Sequence, residues 1–266
     1  MKVKIKIEQV SKTYKKPSSN EVVEALRNIT EDVYEGEFYG ILGPSGCGKS
    51  TLLKIIAGLV TDYKGAVYLD DKKIVDPNPE RGLLFQDYAL FPWKTIIENV
   101  EFGLKAQKIS KEERIKVAKQ CIEMVDLAGF EKKYPHELSG GMKQRCALAR
   151  LLAINPKVML MDEPLAACDA QTRIILQEQI LKIWGEEKPN DKRRTVIWVT
   201  HSIDEAVFLS DRVLVMTGRP GRKKNIVKIP LERPRSDKTK KDQVFVNLCA
   251  DLWEYMKDEA VKALSE

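Results

Sequence analysis

The residues with the clearest chemistry are GPSGCGKST, Gly43–Thr51. They match the spacing G-x-x-x-x-G-K-[ST], with an apolar run before and helical spacing after. Gly43, Gly46 and Gly48 let backbone N–H groups turn toward phosphate oxygens. The helix opening near Lys49 adds its positive end. Lys49 is expected to reach the β- and γ-phosphates, and Ser50 to offer a hydroxyl to Mg²⁺. Pro44, Ser45, Cys47 and Thr51 complete the loop. A second stretch, KVMLMDEP (Lys157–Pro164), ends an apolar run in two acids. Acids at the end of a buried strand are costly unless they meet a metal or a reacting group. Asp162 is therefore read as part of the Mg²⁺ shell, and Glu163 as the group that polarises a water against the γ-phosphate. His201 follows the buried run VIWVT and should lie at the same sheet edge, within reach of that phosphate. His136, the other histidine, reads as structural.

A third stretch, ELSGGMKQR, raises a question. Ser139, Gly140 and Gly141 precede a run whose Met142, Cys146 and Ala149 fall near one helix face. Ser139 suits an N-cap, and a capping serine holds its hydroxyl near any bound anion. The chain therefore carries a second candidate phosphate site. From the residues alone, both loops could fold around one nucleotide or serve two.

The elements that must position these groups alternate. Strand-type runs lie at Val3–Val10, Glu37–Leu42, Ala66–Leu69, Gly82–Phe85, Val158–Met161, Val196–Thr200 and Val213–Met216. Helical patterns fall after Lys49, over Lys111–Leu127 and after Gly140, then over Ala170–Trp184, Ile203–Leu209 and Asp242–Leu264. This is an α/β pattern with a parallel sheet, interrupted by a mostly helical insert over about 87–155. Residues 1–217 read as one domain and 218–266 as a basic extension ending in a helix. Arg219–Lys241 holds ten Lys/Arg against two Asp/Glu, although the whole chain is only +6. It reads as a solvated tail, with nucleic acid or an anionic membrane surface as the alternative. The five cysteines are scattered and odd in number, which suits free thiols in a reducing compartment. No apolar run approaches the roughly 18 residues of a membrane span. The opening MKVKIKIEQV reads as a strand and not a signal peptide, so a cytoplasmic protein is expected.

Together these residues resemble the ABC ATPase family, the nucleotide-binding subunit of bacterial and archaeal importers. GPSGCGKST resembles its Walker A motif, VMLMDE its Walker B, LSGGM its signature and Thr200–His201 its switch histidine. The resemblance implies three further site residues. Gln86 in LLFQD matches the glutamine of the Mg²⁺ shell and catalytic site, Asp169 the aspartate of the following loop, and Tyr14 in VSKTY the aromatic that stacks on adenine. LFQDYALFPWKTIIENV and THSIDEAVFLSDRVLVMTGRPG are similar to the nitrate, sulfonate and taurine importer branch. The implied fold is a P-loop NTPase core with a mixed sheet, an N-terminal antiparallel β subdomain and an inserted α-helical signature subdomain. The implied activity is ATP hydrolysis at two sites, each shared head to tail. Lys49 of one copy and Ser139 and Gly141 of the other close on one ATP.

The implied partners are a second copy, transmembrane permease subunits and, indirectly, an extracytoplasmic solute-binding protein. The implied location is the inner face of the cell membrane. Tyr88, Leu90, Phe91 and Trp93 read either as insert core or, by resemblance, as a groove for a permease helix. Cys168 stands where the family has leucine. It and Cys47 read as small unreactive fillers, with looser docking of the Asp169 loop as the alternative at Cys168. Cys47 is expected to be shielded from alkylation by ATP. The rival is an ABC ATPase acting on nucleic acid or the ribosome, for which the basic extension is the best support. A nucleotide kinase would leave LSGGM and Glu163 without a role.

Overall fold

The computed structural model describes residues 2–15, 22–166, 168–185, 187–189 and 192–264, with side chains through Glu259. In chain order, β1 (Val3–Lys15), β2 (Val22–Tyr34) and β3 (Phe38–Leu42) lead into α1 (Lys49–Ala57). Then come β4 (Lys64–Leu69), β5 (Lys72–Lys73), β6 (Arg81–Leu84) and the helices α2 (Ile96–Ala106), α3 (Lys111–Met124) and α4 (Gly140–Ala153). The chain continues through β7 (Val158–Asp162), α5 (Ala170–Trp184), β8 (Thr195–Thr200), α6 (Ile203–Leu209), β9 (Arg212–Met216), β10 (Lys223–Lys228) and α7 (Gln243–Leu264).

Two sheets form. One is four-stranded, β2-β1-β4-β5, and antiparallel throughout. The other is six-stranded, β10-β9-β3-β8-β7-β6. Its pairs are parallel except β9–β10, which makes it mixed. The central strands are apolar on both faces, as a covered parallel sheet requires. Met159, Met161, Val196, Trp198, Val213 and Val215 point into a core shared with α2 to α7. Their neighbours Val158, Leu160, Ile197, Val199, Leu214 and Met216 point the other way, against α1 and the antiparallel sheet. The period-2 alternation thus splits one run of residues between two cores. Each fully buried Leu, Ile or Val contributes about 1.5–3 kcal/mol.

Every connection between adjacent parallel strands delivers its loop to the same sheet edge. The carboxyl ends of β3, β6, β7 and β8 therefore carry Gly43, Gln86, Glu163 and His201 side by side. This is where open α/β sheets hold ligands.

The basic segment Arg219–Lys241, expected as a solvated tail, is folded onto the body. Lys223–Lys228 is the antiparallel edge strand β10. Arg235 is buried and donates to the carbonyls of Val207, Phe208, Ser210 and Leu231. Arg233 pairs with Asp211, Lys223 with Glu31, Lys224 with Glu259 and Lys240 with Asp237. Among the described residues no helix is long and apolar enough to cross a membrane.

Candidate nucleotide site

The loop Gly43–Gly48 leaves β3 and enters α1. Gly46 (φ 74°) and Gly48 (φ 99°) are both in the left-handed region, where a side chain is strained. Gly48 is the N-cap of α1 and makes no side-chain cap bond, so the first helical N–H groups are left for an anion. Lys49 is buried. Its Nζ donates to the carbonyls of Gly43 (2.9 Å) and Pro44 (3.0 Å) and lies 3.4 Å from Glu163 Oε1. Ser50 Oγ donates to Asp162 Oδ1 at 2.8 Å. Burial raises the Asp162 carboxyl above its ordinary range, and the Ser50 bond pulls it back. Two oxygen donors that close suit Mg²⁺, which is held by one or two protein oxygens and completed by phosphate and water.

Glu163 leaves β7 with φ 44°, a conformation costing about 1–3 kcal/mol in a residue with a Cβ. Its N–H donates to Val199 O at 3.0 Å, which pins the turn to β8. The side chain then bridges Lys49 and His201, whose Nδ1 is 2.9 Å from Glu163 Oε2. Direct contacts thus join Lys49, Glu163 and His201, and beside them Ser50 and Asp162. Gln86 is exposed two residues past β6. Extending the β6–β7 register, in which Leu84 faces Met161, places it level with Glu163.

Tyr14 stands at the end of β1, half exposed, opposite Val23 and with Lys12 Nζ 4.6 Å from its ring centroid. The carbonyl of Ala25, on the same stretch of β2, lies 2.6 Å from where a Cβ on Gly48 would fall. The antiparallel sheet therefore borders the phosphate loop.

The second loop belongs to another cluster. Ser139 caps α4, its Oγ accepting the Met142 N–H at 3.3 Å, and Gly140 and Gly141 are its first residues. A Cβ on Gly141 would lie 2.9 Å from Thr172 Cγ2, so α4 and α5 start side by side. Asp169 caps α5 by accepting the Thr172 N–H at 2.9 Å, and that bond holds its carboxyl below the usual range. Among the described residues no hydrogen bond or ion pair joins Ser139–Gly141 or Asp169 to Lys49, Glu163 or His201.

Cys47 is 1% exposed and burial pushes its thiol pKa up, which suits a small unreactive filler. The Cys168 carbonyl accepts Arg173 Nη2 at 3.0 Å. One expectation changes. Trp93 is 71% exposed and so is not insert core, while Tyr88 and Leu90 do pack on the core. His136 is exposed and stacks on Tyr134.

Several features that shape the site gave no sequence signal. Tyr88 (φ 58°) and Ala89 (φ 48°) form a left-handed strap just after Gln86. Arg150, near the end of the helix that Ser139 begins, donates to both their carbonyls at 2.7 and 2.6 Å. Asn99, wholly buried, bonds the backbone of Phe91, Lys94 and Thr95. Gly221 lies under the phosphate loop, where a Cβ would fall 2.0 Å from Cys47 O, and Arg219 Nη2 donates to Gly46 O at 3.3 Å.

A phosphate loop, acids at the end of the next strand but one and a histidine at the end of the strand between define a phosphate-loop ATPase. The chain belongs to the ABC transporter family, whose sequence profile matches residues 26–166. An uncharacterized ABC transporter ATP-binding protein of Methanocaldococcus jannaschii is 53% identical over 99% of this chain and 95% of its own. An aliphatic sulfonates import ATP-binding protein of Bacillus cereus is 42% identical over 94% of this chain and 96% of its own. A dimeric ATP-binding cassette solved in a post-hydrolysis state with ADP and Pi has a TM-score of 0.74 at 36% identity. It covers 85% of this chain and 99% of its own.

Proposed function

We propose that this chain is the ATP-hydrolysing subunit of a membrane importer for a small, anionic solute of the nitrate, sulfonate, taurine or bicarbonate type. The observation that carries the ATPase reading is the bridge Lys49–Glu163–His201 beside Ser50–Asp162, with Ser139–Gly141 in a separate cluster. One half of a reaction site lies at the sheet edge, and the other belongs to a second copy. The import reading is supported by the sulfonate import relative.

Loop amides and Lys49 bind the phosphates, with Tyr14 on the adenine. Ser50, Asp162 and Gln86 would hold Mg²⁺, which neutralises phosphate charge when bound. Glu163 accepts a proton from the attacking water, and His201 donates to the γ-phosphate. Ser139, Gly140, Gly141 and the Asp169 loop of the second copy close the site. ATP thus holds two copies together, and hydrolysis releases them. The aromatic strap with Phe85, Phe91, Trp93 and Phe102 takes a short helix of the permease at the inner face of the membrane, and a solute-binding protein acts on the far side. The nucleic-acid reading loses its main support, because at least six of the ten cations of Arg219–Lys241 bind the chain itself.

Glu163→Gln tests the ATPase reading. It should bind ATP, accumulate as a dimer on size exclusion and turn over at least a hundredfold more slowly, about what general base catalysis contributes. Near-normal turnover would remove Glu163 from the role. Co-purification with membrane subunits, followed by a ligand screen on the associated binding protein, tests the import reading.

A further inference from the structure

Past His201 the chain turns from β8 into α6, and side chains on both sides of the turn lock it. Thr200, the last residue of β8, donates Oγ1–H to Glu205 Oε2 at 2.8 Å. The Ser202 N–H donates to Thr200 Oγ1 at 3.0 Å. Glu205 is 5% exposed, and burial raises its carboxyl while the Thr200 bond and Arg173 pull it down. Its other oxygen lies 3.7 Å from Arg173 Nε. Arg173 stands in the first turn of α5 and donates from Nη2 to Cys168 O at 3.0 Å, directly before Asp169. A cavity of about 30 Å³ is lined by Glu163, His201, Arg173 and Glu205 together, with Thr200 and Ser202.

We propose that Glu205 is a positioning residue that acts through Arg173, tying the His201 turn to the Asp169 loop so that the two move as one. The proposal rests on the shared-site reading above, in which His201 meets the γ-phosphate and the Asp169 loop faces the second copy. The physical reason is the cost of separation. If the Asp169 loop shifts while the His201 turn stays, Glu205 loses its 3.7 Å cation partner and keeps only the Thr200 hydroxyl against a buried carboxylate. If it shifts with Arg173 held, the Cys168 carbonyl loses its donor. Either route is uphill, so the two ends share one conformational change. The tie runs through a backbone carbonyl, so it is indifferent to the side chain at Cys168. Neither Glu205 nor Arg173 is assigned to the nucleotide itself.

The test compares Glu205→Gln, Arg173→Met and the double variant with the unmodified full chain. Glu205→Gln keeps the shape and the acceptor for Thr200 and removes the charge. Rates are read against ATP concentration, and affinity with a fluorescent ATP analogue. Each single variant should lower kcat about tenfold, within the range of residues that modulate coupling. KM and analogue affinity should change less than about twofold, and sigmoidal dependence on ATP should flatten. The double variant should be no slower than the slower single, as expected for two members of one contact. Packing alone would lower the melting temperature without separating kcat from KM. If Glu205→Gln fails to fold, Arg173→Met, whose side chain is 37% exposed, carries the same comparison. Wild-type kcat in both singles, or losses that multiply in the double, would overturn the tie. Glu163→Gln assayed alongside separates the two ideas. Normal turnover there sinks the site reading; a stop there with unimpaired Glu205→Gln and Arg173→Met sinks only the tie.

Discussion

Gly221→Ala is expected to damage the phosphate loop from a position more than 170 residues away in sequence. The new Cβ would fall 2.0 Å from Cys47 O, 2.8 Å from Met216 Cε and 3.2 Å from Cys47 C. Contacts below 3.0 Å are essentially never seen for a real Cβ, so at least 1.0 Å must open between two backbones. Gly221 cannot simply back away. Its N–H donates to Ala25 O at 3.0 Å and its carbonyl accepts the Arg27 N–H at 2.9 Å. The movement therefore falls largely on the loop. Overpacking of this kind costs about 1–3 kcal/mol. In a chain of this size that lowers the melting temperature by roughly 2–12 °C. A displacement near 1 Å in a group that positions substrate costs on the order of a hundredfold in rate. The assay is scanning calorimetry with steady-state ATPase, and Gly129→Ala is the control. Gly129 has φ 90° but no atom within 4 Å of its Cβ position, so it should lose stability alone. Wild-type kcat/KM in a well-folded Gly221→Ala would refute the view that this turn braces the loop.

Three further outcomes are expected. Ser139→Arg should leave ATP binding by the single chain intact and abolish hydrolysis, measured by analogue titration and phosphate release; retained hydrolysis would argue against a site shared between copies. Arg150→Met strips the donor from two strap carbonyls and should cost about 1.5–3 kcal/mol in urea denaturation, since hydrogen bonds to charged groups carry that much. Glu37 is buried and its carboxyl is pushed up to about 7 by desolvation. The folded state then holds a proton that the unfolded chain releases near its ordinary value, so stability should fall as pH rises from about 4.5 through 7, by about 3 kcal/mol from this group. Glu37→Gln should flatten that slope in denaturant midpoints taken between pH 5 and 8.

The groups proposed to react were legible because each sits where a strand must end. Glycine spacing marked Gly43–Gly48, and acids closing an apolar run marked Asp162 and Glu163. Central strands such as Val158–Asp162 are apolar on both faces, which is an unmistakable composition. The strands β2 and β10 were not legible for the opposite reason. LRNITEDVY breaks a clean alternation, since Glu31 is buried in line with Ile29 and Val33, and KKNIVK wears the lysines with which an edge strand avoids further pairing. Average charge made Arg219–Lys241 resemble a solvated tail, because composition does not distinguish Arg235 bound to four carbonyls from an arginine in water. Arg150, Arg173 and Glu205 were invisible as solitary charges on helices. Their partners are backbone carbonyls or residues distant in sequence, and only the fold names them.

The placement of β3 also bears on how the protein is made. Its neighbours in the sheet are β8 and β9, with Phe38 opposite Val196 and Leu42 opposite Val215. At roughly 5–20 residues per second of synthesis, the strand that carries the phosphate loop waits on the order of 10–30 s for its first sheet partner to leave the ribosome. During that interval Phe38, Tyr39, Ile41 and Leu42, all buried in the finished molecule, have no sheet to enter. The antiparallel hairpin β1–β2 can form at once, but a nascent chain carrying the complete phosphate-loop sequence has no rigid platform for it. Nucleotide binding thus waits on the later strands, and a stalled fragment ending before Thr195 is a substrate for chaperones and not for ATP.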